Sequence, residues 1–196
     1  KRDQLGWAKK EFVITTFGYV SAEKAPEVLI WSLKMLLNWN IAARLVFCGV
    51  GDSQLLHQLK HLAAEIGALD AVTFFDERTD EHTYTDHLIA TDAAIQLRSY
   101  MMGGLSGALN DCMAAAVPTV ANEHLAEASL APDFVRRVPD DLSPVLIAEA
   151  FLDIIDKGEH RTRPIKSAQI FARDHSLERY GELMMEALDF PVATSR

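Results

Sequence analysis

RSYMMGGLSGALNDCMAAAVPTVAN, residues 98–122, is the stretch whose reading decides the fold of this 196-residue chain. A polar, glycine-rich turn at 102–107 runs into an apolar segment that ends at Pro118, and the β-branched pair Thr119 and Val120 follows. Glycine lets backbone approach a ligand closely. A helix that starts just after such a turn points unpaired N–H groups and the positive end of its dipole at the same place. The stretch therefore reads as turn, helix and strand, and the turn as a cradle for an anion or a polyhydroxyl ligand. A glycine loop capping an ordinary buried helix fits the same residues, and on this stretch alone both readings stand.

Upstream, AAIQL (93–97) is a short apolar run that delivers Arg98 to the turn. EFVITTF (11–17), RLVFCGV (44–50) and AVTFF (71–75) are strands of the same kind, and the first two stop at glycines. Between them lie helical patterns at 26–38, at 53–66 and near 81–90. The second has Leu55, Leu56, Leu59, Leu62 and Ile66 on one face, Asp52 or Ser53 as its cap and Gly67 as its stop. Downstream, a helix near 106–116, a strand near 118–121 and a shorter one in FVRRVP (134–139) precede helices at 143–157, 163–174 and 176–188. Residues 2–10 read as a short helical lead-in.

Strands that are continuously apolar and alternate with helices form a parallel sheet covered on both faces. The expected fold is α/β: a doubly wound, Rossmann-like parallel sheet of about six strands with helices on both faces. One domain is expected over 1–196, with a lead-in at 1–10, the core at 11–160 and closing helices at 161–190. Ligands of such sheets sit beyond the carboxyl ends of the strands, so the loops at 18–24, 49–53 and 98–107 are expected on one edge.

Hydrophobic residues make up 49% of the chain and charged ones 24%, the proportions of a globular protein. Net charge is −9 and Lys and Arg form no block, which argues against a nucleic-acid partner. Cys48 and Cys112 fall in apolar runs and read as small core residues. No apolar run reaches the length of a membrane span and the charged start is no signal peptide, so a cytoplasmic location is expected. The chain begins with Lys rather than Met and fits a piece of a longer protein. His57 and His61 are one helical turn apart but lack a third ligand, so no metal site is expected.

With the loops in order, the chain resembles the carboxyl-terminal, donor-binding domain of family 4 (group 1) retaining glycosyltransferases of the GT-B fold. FVITTFGYVSAEKAPEVLI is similar to that family's strand, Gly-Arg, Glu-Lys-Gly and helix, and RLVFCGVGD to its strand ending in Gly-x-Gly. DCMAAAVPTVAN resembles its Glu-Ala-Met-Ala-x-Gly-x-Pro-Val-Val-Ala signature, and FARDHSLERYGELMMEAL its closing helix. The resemblance implies transfer of a sugar from a nucleotide-diphosphate-sugar donor, with retention and without cofactor or metal. It also implies an N-terminal acceptor-binding domain outside this chain, so that the domain alone is inactive.

Residue by residue, Gly18 matches the glycine beside the diphosphate and Lys24 the family's phosphate lysine. For Lys24 the competing reading is a solvated lysine at a helix start. Tyr19 stands where the family has an arginine. Asp111 takes the place of the second motif glutamate, the ribose partner, and the first, sugar-holding glutamate falls at Gly103 or Gly104. That carboxylate is absent. Arg98 is either the replacement cation or the structural partner of Asp92 or another carboxylate. Ser106 and Gly107 offer N–H groups at the helix start, and Asn122, Glu123 and His124 line the same edge. No catalytic residue is assigned. The expected function is donor binding within a retaining glycosyltransferase. The alternative is a non-catalytic nucleotide-sugar- or partner-binding descendant.

Overall fold

A computed structural model describes residues 1–75, 77–99 and 105–188. Six strands form one sheet: β1 (Phe12–Phe17), β2 (Ala43–Cys48), β3 (Val72–Phe74), β4 (Ala93–Gln96), β5 (Thr119–Asn122) and β6 (Val135–Val138). Their spatial order is β3-β2-β1-β4-β5-β6 and every pairing is parallel. The order reverses between β1 and β4, so their carboxyl ends open the crevice where such sheets bind ligands.

The helices are α1 (Pro26–Asn38), α2 (Ser53–Glu65), α3 (Glu81–Ala90), α4 (Gly107–Ala114), α5 (Glu123–Ala128), α6 (Pro144–Asp156), α7 (Glu159–Thr162), α8 (Ile165–Asp174) and α9 (Leu177–Ala187). Alternate strand residues send them to opposite faces. Ile14, Leu45 and Ile95 pack with Leu29 and Leu33 of α1, Leu59 of α2 and Phe151 of α6. Val13, Val46 and Ala94 pack on the other face with Ala90 of α3 and Cys112 of α4. Each fully buried large side chain contributes about 1.5–3 kcal/mol. Both cysteines lie within this packing as free thiols.

Three details differ from the sequence expectation. Residues 2–6 form turns rather than a helix. Arg2 is drawn to Asp92 at 2.6 Å and to the carbonyls of Ala8 and Glu11, while Trp7 buries against the sheet. Those tertiary bonds outweigh a short helix, which is marginal by itself. The helices α5 and α7 were not expected. Short helices of four to six residues carry too little periodicity to read.

One side chain and one backbone conformation mark the α3–α4 side. Arg163 donates to the carbonyls of Ile89 and Thr91 at 2.8 Å each, and to that of Ala115 at 3.3 Å. One guanidinium thus satisfies the free carbonyl ends of two helices. Ala116, just after α4, sits in the left-handed region at φ 57.

Candidate functional site

The loops after β1 and β2 meet backbone to backbone. Gly18 and Val20 donate N–H groups to the carbonyls of Cys48 (3.1 Å) and Val50 (2.8 Å). A Cβ on Gly49 would run into the Gly18 carbonyl, and one on Gly51 would lie 2.8 Å from the Val20 carbonyl. Glycine at 49 and 51 is thus what allows the approach. The loop after β4 joins them: the Ser99 N–H donates to the Glu23 carbonyl at 2.8 Å. The described parts of all three loops therefore share the carboxyl edge of the sheet.

Lys24 ends a 3-10 turn (Ala22–Lys24), and Ala25 in the left-handed region turns the chain into Pro26 at the start of α1. Its Nζ donates to the Phe17 carbonyl at 2.9 Å. Burial lowers its pKa to about 8, the positive charge of Arg98 pushes the same way, and Glu23 opposes them. Arg98 donates through Nη1 to the Leu97 carbonyl at 2.9 Å. Two cations are thus held near one another at the switch point. Such an arrangement stabilises an anion placed between them.

On the α4 side, Ser106 is buried and its Oγ accepts from the Leu109 N–H at 3.2 Å, capping the helix. Asp111, one turn in, accepts a hydrogen bond from the Tyr84 hydroxyl at 2.7 Å. Burial raises the Tyr84 pKa, and the bond to Asp111 and that carboxylate's charge raise it further, so the phenol stays a donor. The Tyr84 ring packs on Phe17, with centroids 5.0 Å apart. Phe17 therefore carries Lys24 on its carbonyl and the Tyr84–Asp111 pair on its ring.

The end of β5 is tied to the end of β4. Asn122 is fully buried; its Oδ1 accepts from the Arg98 N–H at 3.0 Å and its Nδ2 donates to the Arg98 carbonyl at 2.8 Å. The same Nδ2 donates to Asp140 at 2.9 Å, and Asp140 also binds the ring and N–H of His124 at 2.7 and 3.2 Å.

Gly18, Lys24 and Arg98 come together, and Asp111 joins them across Phe17. Arg98 does not pair with Asp92: the two lie at opposite ends of β4, and Asp92 is bound by Arg2. Asn122 lines the edge, but its amide is committed to Arg98 and Asp140. Tyr19 is exposed on the loop after β1. Gly107 is the first residue of α4, and Gly103 and Gly104 lie outside the described residues. Among the described residues no three His, Cys, Asp or Glu side chains converge as metal ligands, and no helix is long and apolar enough to cross a membrane. Sequence reasoning missed Tyr84 and Asp140. Asp140 lies just beyond the carboxyl end of β6, where a carboxylate is worth noting. Tyr84 carried no signal beyond helical spacing. A concavity of about 760 Å³ lined by Arg2, Lys9, Lys10 and Arg161 opens at the opposite edge, where the strands begin. The carboxyl ends of α1 and α6 and the carboxylates of Glu11, Asp92 and Asp156 line it as well.

Residues 1–171 match the family model described as glycosyl transferases group 1. No match was found among curated proteins. Among solved structures, the C-terminal domain of a glycosyl transferase group 1 family protein, LpcC, from Francisella tularensis superposes with a TM-score of 0.71 at 15% identity, covering 84% of this chain and 85% of that one. HepE from Anabaena, solved with UDP and glucose, gives 0.80 at 17% identity, covering 96% of this chain and 50% of its own. Sucrose-phosphate synthase from Thermosynechococcus elongatus gives 0.79 at 18%, covering 96% and 48%. The chain thus spans about half the length of these last two proteins.

Proposed function

The chain belongs to the group 1 glycosyl transferases, and from that membership we propose that it is the donor-binding half of a retaining glycosyltransferase. The ligand is a nucleotide-diphosphate-sugar. Its diphosphate lies over Gly18 between Lys24, Arg98 and the start of α4, and its ribose hydroxyls reach Asp111. The observation that carries this reading is the placing of two cations at the switch point: Lys24 on the Phe17 carbonyl and Arg98 on the Leu97 carbonyl, near enough that the charge of Arg98 lowers the Lys24 pKa. When the sugar departs, negative charge grows on the diphosphate, and preorganised cations act where that growth occurs. With two side-chain cations in place, the reaction proceeds without a metal. The acceptor is held by a second domain outside this chain. HepE, solved with UDP, supports the choice of UDP as the first ligand to try.

One feature favours a second reading, a nucleotide-binding domain without transferase activity: glycine at both 103 and 104, where the family's sugar-holding glutamate belongs. Calorimetric titration with UDP, GDP and ADP tests donor binding, and the donor-binding function fails if none of the three binds. Turnover of the matching sugar conjugate by the parent protein separates the two readings.

A further inference from the structure

Asn122 occupies the N-cap position of α5, where an asparagine side chain ordinarily accepts a backbone N–H. Here it makes no such bond. Its amide reaches back to β4 instead, taking both the N–H and the carbonyl of Arg98 as a neighbouring strand would. Asp140 takes over the vacated role. Its carboxylate accepts the His124 N–H, at the second helical position of α5, as well as the His124 ring and the second proton of the Asn122 amide.

The orientation of the amide is fixed: Asn122 Oδ1 faces an N–H and Nδ2 faces a carbonyl. Nδ1 of His124 lies 2.7 Å from the Asp140 carboxylate and 3.1 Å from Asn122 Nδ2, so the three side chains form one cluster. Burial works against the ionised form of Asp140, but its bonds from His124 and Asn122 hold the carboxyl below the usual carboxylate range. The carboxylate that grips Asn122 is therefore charged, and a charge-assisted bond of this kind is roughly twice as strong as a neutral one.

We infer that Asp140 is a positioning residue of the donor site: through Asn122 it fixes the backbone of Arg98 and so aims the Arg98 guanidinium beside Lys24. The inference rests on the donor-binding reading of Arg98. Asp140 itself touches no ligand. Loss of its carboxylate frees one Asn122 proton and uncaps α5, which draws the Asn122 amide back to the cap and releases Arg98.

The test is a double-mutant cycle read by UDP calorimetry on the whole chain, with thermal melts confirming that each variant is folded. Asp140→Ala is expected to weaken UDP binding at least five-fold, and Asp140→Asn, which keeps an acceptor oxygen, to recover most of the loss. In an Arg98→Ala background, Asp140→Ala is expected to change affinity less than two-fold. The same loss in both backgrounds, or none in either, overturns the inference, because a merely structural role does not depend on the Arg98 side chain. Should Asp140→Ala fail to fold, His124→Ala in the same two backgrounds decides, with a smaller loss that again vanishes without Arg98. UDP binding that is weakened by Arg98→Ala keeps the donor reading whatever Asp140 does. A wild-type chain that does not bind UDP overturns this inference together with UDP as donor.

Discussion

The Lys24 ammonium lies 2.9 Å from the Phe17 carbonyl and 3.1 Å from where a Cβ on Gly18 would stand. Gly18 at φ 86 thus makes room for the ammonium as well as the turn. The cation is kept where its charge is disfavoured, with a pKa of about 8 against an ordinary value near 10.5. A site held in this way is preorganised for an anion and costs the free protein stability.

Two pH slopes of opposite sign follow. Between pH 8 and 10.5 the unfolded chain holds a proton on Lys24 that the folded chain has released, so this lysine makes stability rise with pH across that window. Diphosphate binding needs the ammonium, so affinity falls as pH passes 8, by up to about ten-fold per unit. Lys24→Arg keeps its charge throughout and flattens the affinity profile. Lys24→Ala is expected to weaken UDP binding at pH 7 by about 1.5–3 kcal/mol. Calorimetry across pH on the three proteins checks this. A wild-type profile parallel to that of Lys24→Arg places the ammonium away from the phosphates.

Ala116 gives a prediction about stability alone. An alanine in the left-handed region is disfavoured by about 1–2 kcal/mol, whereas glycine adopts it freely at some cost in unfolded-state entropy. Ala116 is buried next to Val117 and Pro118, so the backbone has little room to relax. Ala116→Gly is expected to raise the unfolding free energy by up to about 1 kcal/mol without changing nucleotide affinity. Urea denaturation checks it, and a destabilised variant means that the methyl group's packing outweighs the strain.

The strands were legible because each is a continuous apolar run stopped by a glycine or a polar turn, and that pattern has few other solutions in a chain of this length. Lys24 and Asp111 were singled out only through the family resemblance; their spacing from glycine or proline would not have done so. Bonds between distant segments were hidden. Asp140 acts on Asn122 across 18 residues and Tyr84 on Asp111 across 27, and neither pair falls on one helix face or strand. Arg98 shows the same limit from the other side. Asp92 is its nearest carboxylate in sequence upstream, yet the fold gives that carboxylate to Arg2.

Asp111 and Lys24 sit on opposite sides of Phe17, and their contributions separate by ligand. Inorganic pyrophosphate carries the charge that Lys24 meets but no ribose for Asp111. Asp111→Ala is therefore expected to weaken UDP by about 1.5–3 kcal/mol, the scale of a hydrogen bond to a charged group, and to leave pyrophosphate unchanged. Tyr84→Phe removes the hydroxyl that holds the carboxylate and gives a smaller loss of the same pattern. Equal losses for UDP and pyrophosphate would place Asp111 among the phosphate-facing groups instead.

The last prediction concerns the sugar. On the family resemblance the carboxylate for the donor sugar falls at Gly103 or Gly104, and the edge groups narrow what could stand in for it. Asn122 has its amide committed to Arg98 and Asp140. Arg98 can only donate, since a guanidinium has no acceptor. Glu123 is exposed at the start of α5 and leaves the carboxylate least constrained of the edge groups. A mobile carboxylate contributes little net binding, because holding it in place costs side-chain entropy. The nucleotide is therefore expected to supply most of the affinity, with UDP-glucose binding no more than about three-fold tighter than UDP, under 0.7 kcal/mol. Glu123→Ala should not change that ratio. Titrating UDP and UDP-glucose side by side on both proteins checks this. A conjugate that binds ten-fold tighter in the wild type and loses the gain in Glu123→Ala would make Glu123 the replacement carboxylate. Positioning groups act chiefly on the reacting state, so a ratio near one is also what a transferase with its sugar contacts in the second domain would show. Turnover by the parent protein distinguishes that case from a domain that has lost transfer.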